Sequence, residues 1–127
     1  DNWKTGWATD SKLLWALGNF SRFVRPGAQR YTMEKQGSNV ADADDSCTDP
    51  KGVMCSAYRN ADGKWAIVAI NYSEDQKPVA FAMEDGAAKK WQMYRTSDTS
   101  AESLAPVGTT DGSTTLAPRS ITTFVEQ

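Results

Sequence analysis

Residues 12–24, KLLWALGNFSRFV, constrain the fold of this chain more than any other stretch. Leu13, Leu17, Phe20 and Val24 recur at i, i+4, i+7 and i+11, so they form one stripe along a helix. Ala16 and Phe23 flank the stripe on one side and Leu14 on the other, giving an apolar arc over roughly half the circumference. Lys12, Asn19 and Arg22 lie on the far side. Trp15 falls among them, so that side is expected to meet a neighbour too. Asp10 or Ser11 supplies the N-cap. Gly18 costs about 1 kcal/mol against Ala inside a helix, which predicts close backbone approach by another element. Pro26 has no N–H to give another turn, and it pushes Arg25 out of the helical region. The helix is therefore expected to run from Lys12 to Val24.

After Pro26-Gly27 the apolar period changes from 3.6 to 2. RYTME (30–34) reads as a short strand, and VMCSAYR and KWAIVAINY read as two strands joined across NADG, where Asp62-Gly63 is a hairpin signal. Trp65 to Ile70 is apolar on both faces and should lie centrally in a sheet. PVAFAME alternates Val79, Phe81 and Met83, and KWQMYRT sets Trp91 and Met93 against Tyr94. SDTSAESLAPVGTTDGS reads as a long polar loop, followed by TTLA and by RSITTFVE. In the last strand Ile121, and Phe124 or Val125, are expected to face inward around the threonines. About seven short strands at regular spacing predict a mainly β fold, an antiparallel β-sandwich preceded by one N-terminal α-helix.

This raises a packing problem. Burying Leu13, Leu14, Leu17, Phe20, Phe23 and Val24 stabilises by roughly 9–18 kcal/mol before entropy. A small sandwich uses its inner faces on itself and covers one side of such a helix at most. Half a circumference of apolar side chains, with Trp15 besides, asks for a second partner; the alternative is that the helix only caps the sandwich.

Composition narrows the chemistry. The 127 residues contain no histidine, which excludes Ser-His-Asp and Cys-His constellations and imidazole-bound zinc within this chain. Two cysteines cannot make a four-thiolate site, and no metal or cofactor is expected. Cys47 and Cys55 bracket TDPKGVM, a turn-forming stretch, so a disulfide between them is expected, worth roughly 2–3 kcal/mol and implying a secreted context. Two free thiols are the alternative. Asn71 in NYS and Asn19 in NFS match the N-glycosylation pattern, although Asn19 sits on the packed helix. The net charge of −2 gives no footprint for nucleic acid or anionic lipid, and no apolar run approaches the roughly 20 residues of a membrane span. The chain starts at Asp1 with neither an initiator Met nor a signal peptide, so it is expected to be a processed protein or one part of a longer one.

The carboxylates are the remaining acid–base candidates. Glu34, Glu74, Glu84, Glu102 and Glu126 fall at strand ends and in loops. The run Asp42, Asp44, Asp45, Asp49 lacks the Gly and closing Glu of a calcium loop. Tyr58, Trp65, Tyr72, Trp91 and Tyr94 offer a sugar-stacking platform, but on strands they more often serve as core or sheet cover. Catalysis by these 127 residues alone is not expected.

Several stretches resemble one family. ALGNFSRFVRPGAQRY (16–31) is similar to the last barrel helix and following strand of glycoside hydrolase family 30. VMCSAYRNADGKWAIVAINYS resembles that family's hairpin, YRTSDTSAESLAPV its Thr-Ser to Leu segment, and TLAPRSITTFV its closing strand. The resemblance covers nearly the whole chain, and its first and last motifs are specific.

It implies the C-terminal portion of a secreted retaining glycosidase built of a (β/α)8 barrel and a side β-sandwich. Residues 1–27 would be the loop and final helix of the barrel, and 28–127 the sandwich. Leu13, Leu14, Leu17, Phe20, Phe23 and Val24 would then face the N-terminal barrel segment of the same enzyme. Trp3 and Trp7, on a loop at the catalytic face, would be the residues placed to stack on sugar; alternatively they wedge the loop against the barrel. The family's two catalytic glutamates precede this sequence, so no catalytic residue is carried over. The stretch NWKTGWATDSKLLWALGNFSRFVRPGAQRY is most similar to the endo-β-1,6-galactanase branch, and Lys4 is the only cation before the helix, unlike the Arg-rich loop of glucuronoxylanases. The implied substrate is plant polysaccharide, with β-1,6-galactan side chains favoured and glucuronoxylan the alternative. Two further readings are a free-standing carbohydrate-binding sandwich and a sandwich unrelated to sugars. Both conflict with an apolar helix face left without cover.

Overall fold

The computed structural model describes residues 11–33 and 52–127. Trp3, Trp7, Asp10, Glu34, the Asp42–Asp49 run and Cys47 lie outside the described residues, so the expectations placed on them stand as stated.

Helix α1 spans Lys12–Ser21. Ser11 is the N-cap by backbone conformation (φ −137°, ψ 161°), with no side-chain cap bond. The helix stops three residues before the expected Val24. Phe23 and Val24 N–H both turn back to the Phe20 carbonyl at 3.1 and 2.7 Å, and Arg25 N–H leaves the helical ladder for Asn60 Oδ1 at 3.0 Å. Pro26 accounts for that departure, since the residue before proline is disfavoured in the α region. Gly27 then takes φ 90°, which reverses the chain into the first strand.

The strands are β1 Gln29–Tyr31, β2 Val53–Arg59, β3 Trp65–Asn71, β4 Lys77–Ala80, β5 Trp91–Thr96, β6 Ala105–Thr110, β7 Ser113–Leu116 and β8 Ser120–Glu126. Among the described residues they form a six-stranded antiparallel sheet, order β1-β2-β3-β8-β5-β6, and a two-stranded one, β4-β7. The fold is a mainly β antiparallel sandwich with an N-terminal helix, as the alternation predicts. The Asp62-Gly63 hairpin joins β2 to β3, with Gly63 at φ 85°, and β3 sits inside the sheet between β2 and β8.

Residues 97–113 hold the main departure from the sequence reading. The expected loop contains β6, which pairs with β5 across an irregularity between Met93 and Tyr94. Pro106 and Gly108 argue against a strand locally, but β6 is the sheet edge, where a missing N–H goes unclaimed. The closing strand differs in a second respect: Phe124 is fully buried, and so are Thr122 and Thr123, because both faces of the large sheet are covered there.

Cross-strand partners share a face. Ala57, Ile67, Phe124 and Met93 line up across β2, β3, β8 and β5. They form the core with Trp91 and Leu116, and with Val79, Phe81 and Met83 from the β4 side. Phe81 meets Trp91 and Phe124 edge-on at 5.4 and 4.8 Å. Gly112 is required here: a Cβ would fall 2.5 Å from the Phe81 carbonyl oxygen, at φ 119°. On the opposite face Val68, Thr123 and Tyr94 align, and Ile70, Ile121 and Thr96. That face carries α1.

Candidate functional site: a helix joined through polar side chains

The helix meets the sheet with its polar side, the side on which Trp15 predicts a neighbour. Asn19 is fully buried. Its Nδ2 donates to Thr96 Oγ1 at 2.8 Å and to the Trp15 carbonyl at 3.1 Å. Thr123 Oγ1 lies 2.8 Å from the Asn19 carbonyl and 3.0 Å from Asn19 Oδ1. Thr96 Oγ1 in turn accepts the Leu104 N–H at 2.9 Å. Among the described residues no buried side-chain nitrogen or oxygen lacks a partner, so this polar joint avoids the penalty of an orphaned group. Gly18 lies beside it, and a Cβ there would stand 3.3 Å from Leu104 Cδ2, the close approach its presence predicts.

Both ends of the helix are tied to the sandwich. Lys12 Nζ donates to Thr99 O at 2.7 Å, Glu102 O at 3.0 Å and Ser103 Oγ at 2.9 Å, which fills an ammonium's three donor positions. At the other end Asn60 Oδ1 receives Arg25 N–H while Asn60 Nδ2 donates to Phe23 O at 2.8 Å. Arg22 lays its guanidinium 5.0 Å over the Tyr94 ring.

With the polar side committed to the sheet, the leucines point away. Leu13 is 70% exposed, Leu14 55% and Leu17 59%. Phe20 and Val24 are half-buried. Phe23 packs its ring on Tyr94 at 4.6 Å, so the sandwich covers part of it. The arrangement inverts an ordinary surface helix, which buries its apolar stripe and shows its polar one.

Both glycosylation candidates are buried. Asn71 is 1% exposed; its Nδ2 donates to Asp75 O at 2.8 Å and Ala117 O at 2.9 Å, and its Oδ1 accepts from Ser73 N and Oγ. Asn19 is buried as described. In the folded domain neither Nδ2 has room for a sugar, because both asparagines are spent on internal hydrogen bonds.

The part-buried glutamates serve structure. Glu102 binds Arg95 through both oxygens and accepts Ser97 Oγ at 2.6 Å. The Arg95 hydrogen bond holds its carboxyl below the ordinary carboxylate value, against the opposing effect of burial and with help from Ser97. Burial pushes Glu126 up, yet Lys89 at 2.5 Å and the Trp65 N–H outweigh it and leave that carboxyl lowered as well. A general acid needs the opposite shift. Among the described residues, Trp65, Tyr72, Trp91 and Tyr94 form no shared platform. Trp91 is core, Tyr94 sits on the other face under Phe23, Trp65 packs edge-on with Tyr31 at 4.6 Å, and Arg119 covers one face of Tyr72 at 4.6 Å.

This geometry has known counterparts. Residues 27–124 match the model of the "Glycosyl hydrolase family 30 beta sandwich domain". Among solved structures, a conserved exported protein from Bacteroides fragilis is similar at 29% identity and TM-score 0.72, over 92% of this chain and 22% of that one. A family 30 endoxylanase from Clostridium papyrosolvens is similar at 31% identity and TM-score 0.71, over 94% and 28%. The catalytic domain of a family 30 xylanase C from Talaromyces cellulolyticus matches at 29% identity and TM-score 0.70, over 94% and 25%. The chain thus spans about a quarter of the length of these structures. It belongs to glycosyl hydrolase family 30, as that family's C-terminal β-sandwich domain.

Proposed function

We propose that this chain is the non-catalytic C-terminal portion of a secreted retaining endo-glycosidase and works joined to the catalytic barrel of the same protein. Residues 1–27 supply the last barrel loop and helix, and residues 28–127 the side sandwich. The observation that carries the reading is the orientation of α1: Asn19 is buried on the sheet, while Leu13, Leu14 and Leu17 stand 55–70% exposed. Barrel strands of the same protein are the partner suited to that face, with Phe20 and Val24 at its edge. Trp3 and Trp7 then lie on the loop nearest the sugar.

Hydrolysis would proceed by double displacement, with one barrel glutamate as nucleophile and the other as acid/base, both outside this chain. The substrate we favour from the residue 2–31 motif is β-1,6-galactan. A second reading, xylan, is supported by the names of two similar structures, both xylanases. The Cys47–Cys55 bridge and an exported location belong to the same proposal, the latter supported by the exported relative. The test is to incubate the full-length protein with β-1,6-galactan and with glucuronoxylan and to follow the anomeric proton of the first product by NMR. Cleavage of either with retained configuration is expected. Inversion, or no cleavage of either, would overturn the reading.

A further inference from the structure

The β3–β4, β5–β6 and β7–β8 loops enclose an open cleft of about 490 Å³, lined by Glu74, Arg95, Ser97, Asp98, Glu102 and Arg119 among others. Its floor is fixed. Arg95 grips Glu102, Ser97 Oγ donates to the same carboxylate, and Ser97 N–H closes onto the Glu102 carbonyl at 3.0 Å. Lys12 holds the loop from behind through Thr99 O and Glu102 O. The rim is accessible. Asp98 is exposed, and the Arg119 side chain, 44% exposed, rests over Tyr72 and touches Glu74 only at 3.5 Å.

The chemistry of these groups selects a ligand class. Two guanidiniums and the Lys12 ammonium against three carboxylates leave no net positive charge, so the cleft has no particular pull on phosphate or uronic acid. Adjacent carboxylates and guanidiniums suit vicinal hydroxyls, which donate to the one and accept from the other. Position gives the same answer. Lys12 opens α1, and in a (β/α)8 barrel the N-terminal ends of the helices lie at the catalytic face. If α1 is the last barrel helix, the cleft sits at the catalytic end of the sandwich. Resting on that reading, we propose that the cleft is an accessory binding site for a neutral stretch of the polysaccharide being cut.

Affinity electrophoresis of the full-length protein, run cold in gels containing β-1,6-galactan, arabinoxylan or polygalacturonate, tests this. Arg119→Ala and Asp98→Ala are both at exposed positions, and unchanged melting temperatures would show that they fold. Each should weaken retardation by a neutral polymer about fivefold, the loss expected of one net hydrogen bond. Variants that migrate with wild type in both neutral gels, or stronger retardation by polygalacturonate than by the neutral polymers, would overturn the proposal. The outcome is separable from the hydrolysis test. Cleavage with retention alongside unmoved retardation sinks the cleft alone, and retardation lost in variants of a protein that cleaves neither glycan sinks the hydrolase reading alone.

Discussion

The polar joint between helix and sheet has a cost that can be worked out and measured. Asn19→Ala removes three contacts of 2.8–3.1 Å, to Thr96 Oγ1, to the Trp15 carbonyl and from Thr123 Oγ1. A typical intramolecular hydrogen bond contributes about 0.5–1.5 kcal/mol net, so the three sum to roughly 1.5–4.5 kcal/mol. Thr96 and Thr123 keep other partners, Leu104 N–H and the Asn19 carbonyl, which argues for the lower half of that range. Urea unfolding of wild type and variant, followed by tryptophan fluorescence, measures the loss. A cycle with Thr123→Val isolates the shared contact, for which a coupling of about 1 kcal/mol is expected. If Asn19→Ala falls within about 0.5 kcal/mol of wild type, or the cycle shows no coupling, the helix is not held through this joint and the account of its orientation fails.

Three further outcomes follow from single sites. Gly112→Ala should destabilise by at least about 2–3 kcal/mol, since Cβ would meet the Phe81 carbonyl at 2.5 Å on a backbone at φ 119°; a melting temperature unchanged from wild type would show that the turn adapts. Glu102 has its folded pKa below the ordinary value of 4.5, so its contribution is full above that value and is lost as pH falls through the folded pKa. Stability measured from pH 6 down to pH 3 should therefore drop less steeply in Glu102→Gln than in wild type, and parallel profiles would refute this. Peptide mass mapping after expression in a glycosylating host should find Asn19 and Asn71 bare in folded protein, because both are buried; a glycan on either would contradict the hydrogen bonding described.

The sequence carried more about which surfaces are apolar than about which way they face. The 3.6-residue stripe from Leu13 to Val24 located a helix, and the Gly18 signal its close approach to a neighbour, Leu104. The alternation from Val53 to Asn71 located a hairpin whose second strand is central. What periodicity left open, and only the family resemblance implied, was the sense of the helix on the sheet. Hydrophobicity alone turns the leucines inward, and only the long-range meeting of Asn19 with Thr96 and Thr123, 77 and 104 residues away, reverses it. The two sequons show the same limit, since the pattern is local while the burial of Asn19 and Asn71 is tertiary. β6 escaped because Pro106 and Gly108 weaken local strand preference, and pairing with β5 supplies what propensity does not. The Asn60 clasp on the helix exit had a faint signal, an Asn opening a tight hairpin, but nothing local named its partner.

The central claim is that the outward leucines are covered by structure beyond these 127 residues. Replacing Leu13, Leu14 and Leu17 together by Asp tests it in two settings, the isolated chain and the full-length protein. With the three side chains 70%, 55% and 59% exposed, the isolated chain should keep its unfolding midpoint and become more soluble. In the full-length protein the same change forfeits roughly 3–5 kcal/mol of apolar burial and strands three charges, so the midpoint should fall sharply. An isolated chain that unravels on the triple substitution, or a full-length protein that tolerates it, would contradict the account.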